Sequence, residues 1–224
     1  TEIYTVLHTL SLHDALPIST AAAALLAALA RLGTPYRAVA VDTTFTNEAF
    51  PLPAMTSSGL RLVAFTDYNV ILVRQRSLGH LRLSSIQTGT YVARLPVTVA
   101  GIDIQVTRGW AQTDVTLHGR SFRFVDTHLE AFGAPGTLKD QVRNPQAQEL
   151  AYRIAQSPIP VVLVGDINAR PDMCTDIPRT DPAEHALDQN VVAYTTLRES
   201  GLTEAWYAVH RDDPCAPRSW TSGS

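Results

Sequence analysis

The sequence predicts an α/β domain dominated by antiparallel strands, on three observations. An Ala- and Leu-rich stretch after Ser19 has the composition of a helix and runs into Gly33 and Pro35, a helix stop. Between residues 60 and 128, runs of apolar and β-branched residues alternate with short turn signals, the pattern of hairpins. Residues 161–164 read Val-Val-Leu-Val, a continuously apolar run expected of a strand buried on both faces. At 224 residues and 45% hydrophobic content, the chain can bury one substantial core.

Residues 1–20 show neither helical nor alternating periodicity, and SLHDALPIST at 11–20 resembles translated sequencing-adapter sequence. The expectation is a non-native or unstructured leader at 1–20 followed by one domain at 21–224, which sets His8, His13 and Asp14 aside. The hydroxyls of Ser19 and Thr20 can cap the first helix. Residues 36–41 alternate like a strand, whereas 42–59, with Pro51, Pro53, Ser57, Ser58 and Gly59, read as a long surface loop. Further strands are expected at 60–65, 69–74, 91–99, 102–108, 111–117 and 121–128, with turns at Asp67-Tyr68, Ala100-Gly101 and His118-Gly119. Leu138, Val142, Leu150 and Ile154 lie near helical spacing across 138–156, where Pro145 implies a kink or restart. Residues 170–190 are rich in Pro, Asp and Thr and read as irregular, 191–200 as a short helix stopped by Gly201, and 211–224 have no period. No internal repeat or domain linker is visible.

Composition narrows the function. A net charge of −3 without a Lys/Arg run supplies no electrostatic footprint for tight, non-specific duplex binding, so nucleic acid is a less favoured partner. Cys174 and Cys215 belong to no C-x-x-C spacing, which argues against a zinc site or thiol nucleophile; they read as unrelated thiols, or as one disulfide in an exported protein. The longest apolar run, residues 21–30, falls short of the about 20 residues a membrane helix needs. Residues 1–20 hold Glu2 and Asp14 but no Lys or Arg, a poor signal peptide, so exported and cytoplasmic locations both stay open.

Two segments can carry chemistry. After the apolar run come Gly165, Asp166, Ile167 and Asn168. If the chain stays extended, Asp166 and Asn168 face one way, pairing an ionised acceptor with an amide that can donate to a phosphate oxygen. The competing reading is a strand-end turn in which both side chains bond nearby backbone. Upstream, strand alternation puts Asp126, His128 and Glu130 on one face. His128 can stabilise charge on a reacting phosphate if a carboxylate holds it protonated, or the triplet simply marks a strand leaving the core.

In order, Phe-Val-Asp-Thr-His-Leu-Glu at 124–130, a helix holding Gln146-Ala147-Gln148-Glu149-Leu150, and Val-Val-Leu-Val-Gly-Asp-Ile-Asn-Ala-Arg-Pro-Asp at 161–172 resemble the endonuclease/exonuclease/phosphatase superfamily. Arg108-Gly109-Trp110 and Gly201-Leu202-Thr203-Glu204-Ala205-Trp206 extend the likeness more loosely. The resemblance implies two mixed, mainly antiparallel β-sheets packed face to face with helices on the outer faces, and an active site at one end. It assigns Asp166 to orienting the nucleophile and leaving-group region, Asn168 to contacting the phosphate, and His128 to stabilising the transition state and contacting the phosphate. It further implies a phosphodiesterase or phosphomonoesterase dependent on Mg²⁺, or Mn²⁺; within that reading the acidic balance and the long loop expected at 42–59 favour a small-molecule or lipid-like phosphoester over duplex DNA.

The departures bear on activity. The family's Gln-Glu strand, whose glutamate binds Mg²⁺, is not found in residues 1–20, and neither its Arg-Ile-Asp strand nor its Ser-Asp-His motif occurs before Ser224. The expectation is therefore a chain lacking both ends of the domain, inactive alone and without a metal ligand set of its own. Glu130 and Asp172 are nearby carboxylates expected on solvated faces. The alternative function is a non-catalytic binding module that keeps the fold; an upstream Gln-Glu and a downstream Ser-Asp-His would decide for the enzyme. A serine or cysteine hydrolase using His128 lacks a nucleophile elbow.

Overall fold

Alternating side chains along paired strands build the sheets from which the candidate site grows. The computed structural model describes residues 3–7, 19–46, 51–56, 59–64, 66–99, 101–131, 136–170 and 191–210. It divides into two compact units, Thr1–His128 with Ser157–Asp166, and Leu129–Gln156 with Ile167–Ser224.

In the first unit, β1 (Ile3–Leu7) is followed by helix α1 (Ser19–Arg31), β2 (Tyr36–Thr46), a hairpin of β3 (Leu52–Thr56) and β4 (Gly59–Val63), and β5 (Thr66–Arg74). Then come β6 (Leu81–Thr90), a second hairpin of β7 (Leu95–Val99) and β8 (Ile102–Val106), β9 (Gly109–Leu117), β10 (Arg120–His128) and β11 (Val161–Asp166). One sheet has the order β1-β5-β2 and is antiparallel; the other has the order β11-β10-β9-β6, with β10 and β11 its parallel pair. Ala40, Ile71 and Val73 from the first sheet meet Leu81, Ala111, Val115 and Phe124 from the second in one buried cluster, joined by Phe122 and Val164. The sheets therefore pack face to face, as the resemblance implies. At roughly 25 cal/mol per Å² of apolar surface removed from water, this seam is the main stabilising term of the unit.

The opposite face of the first sheet carries α1. Leu25, Leu26 and Leu29, on one helical face, pack against Tyr36, Val70 and Leu72. The helix ends where the sequence places its stop. Gly33 takes φ +72°, its N–H bonds Ala30 O at 3.0 Å and that of Thr34 bonds Leu29 O at 2.9 Å, a Schellman cap that a Cβ would strain.

The core-facing side of the sheets changes character along its length. The alternation that turns Ile71 and Val73 inward on β5 does the same for Asn69 and Asp67. On β10 the inward series Phe122, Phe124 continues into Asp126 and His128, and on β11 Val164 is followed by Asp166. One end of the seam is apolar, the other polar and titratable.

The second unit contains α2 (Leu138–Ala155), α3 (Val192–Glu199) and α4 (Ala205–Val209). Val142, Ala147, Leu150 and Ile154 of α2 are buried, as are Ala193, Tyr194 and Leu197 of α3, which packs on α2. The Glu204 carboxylate caps α4 by accepting from the N–H groups of Trp206 and Tyr207, at 3.1 and 2.7 Å.

Several sequence expectations change. The loop expected at 42–59 instead carries the end of β2 and the β3–β4 hairpin. Register shifts between Ala38 and Ala40, and between Thr43 and Phe45, break the alternation that would have announced β2's length. Pro53 is tolerated because a two-stranded hairpin has only edges. β6 was not anticipated, since its irregular register at Ser84 to Gln87 and the φ of +49° at Ser85 hide its period. Asp67 and Tyr68 lie inside β5, not in a turn, while His118 and Gly119 do form the β9–β10 turn, both with positive φ. Among the described residues β11 pairs only with β10, and with Val162 43% exposed it is not a strand buried on both faces. In the stretch expected to be unstructured, Ile3–Leu7 pairs with β5. α2 continues through Pro145 without a restart, and Leu138 at its start is exposed. Among the described residues no helix is long and apolar enough to cross a membrane. Asp172, Cys174, Cys215, His8, His13, Asp14 and the regions 171–190 and 211–224 lie outside the described residues.

Candidate active site

In the first unit, β10 and β11 end together, and His128 pairs in register with Asp166. Parallel partners in register share a sheet face, so the two sequence-predicted groups are brought side by side. Gly165 makes this pairing tight. It has φ +131°, and a Cβ there would run into the carbonyl oxygen of Thr127, so no other residue fits without moving one strand.

The His128 ring is held from β9's approach. Arg108, directly before that strand, places Nη1 3.0 Å from His128 Nδ1 and 2.6 Å from Asp67 Oδ2, while Asp67 Oδ2 lies 3.8 Å from His128 Nδ1. The nearest partner of Nδ1 is thus a guanidinium, not the carboxylate expected to hold a protonated imidazole. The carboxylate sits behind, neutralising the arginine. All three side chains are largely buried, at 12% exposure for Arg108, 14% for Asp67 and 8% for His128, which limits solvent screening.

Two further carboxyls lie deeper. Asp126 is fully buried, and burial, reinforced by the charge of Asp42, pushes its pKa up to about 8 against a weaker opposing pull from the Thr127 N–H. Burial also pushes Asp42 up to about 7, opposed by a hydrogen bond from Asn69 and assisted by Asp67. Asp42 Oδ2 packs against the Cα of Gly109, whose carbonyl accepts from Asn69 Nδ2 at 2.9 Å and Thr127 Oγ1 at 3.0 Å. Each aspartate favours its neutral form because its charge would face low-dielectric surroundings and a neighbouring acid.

Asn168 and Glu130 belong to the second unit. Asn168 does not continue the extended conformation: it has φ +47°, is buried, and donates Nδ2 to Leu129 O at 3.0 Å. β11 ends at Asp166, so the extended conformation on which the same-side expectation rests does not reach Asn168. Glu130 is 2% exposed rather than solvated. Its N–H donates to Gln146 Oε1 at 2.8 Å, and its Oε1 accepts from Ala131 N at 2.9 Å. Fully buried Arg143 donates to Ala131 O at 3.1 Å and to Asp140 at 2.7 Å. Asp140 is held below the ordinary carboxylate range: burial opposes this, but the Gly136 N–H and Arg143 outweigh it. Residues 129–131 are thus clamped by Asn168, Gln146 and Arg143.

Among the described residues no three His, Cys, Asp or Glu side chains gather as metal ligands. Arg108, Asp67, Asp42 and Asn69 escaped the sequence reading as site residues. Arg108 carried a signal only through its place in the looser Arg108-Gly109-Trp110 likeness.

No family model matches the chain, and no curated protein matches it. Solved structures do. An endonuclease/exonuclease/phosphatase family protein from Leptotrichia buccalis aligns at TM-score 0.52 and 14% identity over 91% of this chain and 62% of its own. An endonuclease/exonuclease/phosphatase from Beutenbergia cavernae aligns at TM-score 0.51 and 17% identity over 91% of this chain and 46% of its own. This chain thus spans 62% and 46% of the lengths of the two structures it matches. With its two face-to-face sheets and parallel β10–β11 pair, the chain has the fold of the endonuclease/exonuclease/phosphatase proteins.

Proposed function

We propose that the whole protein hydrolyses a phosphodiester or phosphomonoester, with His128, Asp166 and Asn168 acting on the substrate. The observation that carries this reading is the in-register pairing of His128 and Asp166 at the polar end of the inter-sheet seam. In phosphoryl transfer, water attacks phosphorus, the ester P–O bond breaks, and negative charge spreads over the remaining phosphoryl oxygens. Donors fixed beforehand stabilise that charge without reorganising. His128 donates to such an oxygen, Asn168 contacts the phosphate through its amide, and Asp166 accepts a hydrogen bond from the nucleophile and orients it.

The proposal includes dependence on Mg²⁺ or Mn²⁺ in the whole protein, which would supply Lewis-acid stabilisation of the developing charge. This chain alone is proposed to turn over little substrate, because the family's Gln-Glu strand and Ser-Asp-His motif are not found in it. A small or lipid-like phosphoester is favoured over duplex nucleic acid by the net charge of −3. The test is an assay of the chain and of the full-length protein on bis-p-nitrophenyl phosphate, sphingomyelin and plasmid DNA, with and without EDTA. Full-length turnover that EDTA abolishes, with little from the chain, supports the proposal. A full-length protein inert on every phosphoester supports a non-catalytic binding module instead.

A further inference from the structure

We infer that Arg108, anchored by Asp67, locks the His128 imidazole as its Nε2–H tautomer, making His128 a neutral donor and Arg108 a positioning residue for it. The argument starts from what each group can do. A guanidinium has only donors and stays charged at any working pH, so a ring nitrogen beside it must be the acceptor. Arg108 Nη1 carries two hydrogens and lies 2.6 Å from Asp67 Oδ2 and 3.0 Å from His128 Nδ1. One hydrogen goes to each. Nδ1 then bears no proton, and the ring's proton resides on Nε2, which becomes its donor.

The competing state puts a proton on Nδ1 and pairs it with Asp67. Those atoms are already 3.8 Å apart, but the arrangement would bring the new N–H against Arg108 Nη1, a donor, and in the doubly protonated ring it would add a second cation beside the first. The guanidinium would have to leave its place, breaking its 2.6 Å contact with Asp67. The lock forms with Asp67 and Arg108 already paired, and it reverses the expectation read from the residues that a carboxylate keeps this histidine protonated. Its consequence for catalysis rests on the phosphoesterase reading: His128 supplies a directed hydrogen bond to a phosphoryl oxygen, not a full positive charge. The tautomer itself needs no substrate.

The experiment is the two-bond ¹⁵N–¹H correlation spectrum of the full chain labelled at histidine, or its solid-state equivalent if the sample associates, with the His128 signal assigned by its loss in His128→Asn. The expected pattern at neutral pH is the Nε2–H tautomer, retained in Arg108→Gln, whose amide still donates, and replaced by Nδ1–H or doubly protonated signals in Arg108→Met. If Arg108→Met does not fold, Asp67→Asn, which removes the anchor, is expected to raise the Nδ1–H fraction. An Nδ1–H or doubly protonated His128 in the unaltered chain, or an unchanged tautomer in Arg108→Met or, failing that, in Asp67→Asn, overturns the inference. In the full-length protein Arg108→Met should lower kcat about 10- to 100-fold with Arg108→Gln in between. The Nε2–H tautomer in a protein without phosphoesterase activity would overturn the proposed function and leave the tautomer assignment standing.

Discussion

The phenol of Tyr91 and the hydroxyl of Thr127 meet at 2.6 Å on the face of β10 opposite His128. Thr127 Oγ1 donates its single hydrogen to Gly109 O at 3.0 Å, so the Tyr91 O–H must be the donor to Thr127. Tyr91 is fully buried, and this chain of bonds ties the residue before His128 to the start of β9. Tyr91→Phe should cost about 1 kcal/mol, the usual net worth of one buried hydrogen bond, because Thr127 keeps its other partner. Urea unfolding checks it; a change within about 0.3 kcal/mol would mean the bond contributes nothing net.

Gly165→Ala should be far more costly. The backbone conformation alone disfavours a non-glycine residue by about 1–3 kcal/mol, and the added methyl also collides with the Thr127 backbone. Gly79→Ala, where a Cβ meets open space, is the control and should shift the melting temperature little. Equal melting temperatures for the two variants would show that β11 is not held as tightly against β10 as its geometry says.

Asp42 and Asp126 make stability fall as pH rises. Their folded-state pKa values, about 7 and about 8, lie above the ordinary carboxylate value of 3.8, so between these limits the native state holds protons that the unfolded chain has released. Their contribution is fully present below pH about 4 and is lost progressively up to pH about 8. The urea midpoint should therefore decline between pH 5 and roughly pH 8, and Asp126→Asn, which cannot ionise, should flatten that decline. A midpoint that rises over this window, or the same slope in Asp126→Asn, would refute the assignment.

The parts of this architecture that the sequence announces are those governed by local pattern. Gly33 ends α1 because only the following turn requires it, and the polar steps Asp126, His128 and Asp166 stand out because they interrupt apolar runs at strand ends. What pairs with what is another matter. Arg108 reaches His128 and Asp67 across strands far apart in the chain, and period-2 alternation reports a face without reporting the neighbour on it. Asp42 was hidden for a second reason: the two register shifts in β2 displace its parity, so a buried acid sat in a stretch that looked like loop. Asn168 misled in the opposite direction, since two-residue spacing implies a shared face only while the chain remains extended, and β11 ends at Asp166 while Asn168 itself takes a left-handed conformation.

The decisive kinetic prediction concerns the paired strand ends in the full-length protein. His128→Ala removes a donor aimed at charge that develops only in the transition state, so it should lower kcat about 10²- to 10³-fold with little change in KM. Asp166→Ala should lower kcat by a comparable or larger factor, about 10²- to 10⁴-fold, because it removes the group proposed to orient the nucleophile. His128 and Asp166 are register partners on adjacent strands, so the double variant should lose less than the product of the single losses, as residues acting as a unit do. Circular dichroism and melting curves should match the unaltered protein, since both side chains lie at strand ends and not within the apolar seam. Strictly multiplicative losses would place the two residues in separate roles, and undiminished turnover in either single variant would remove that residue from the mechanism.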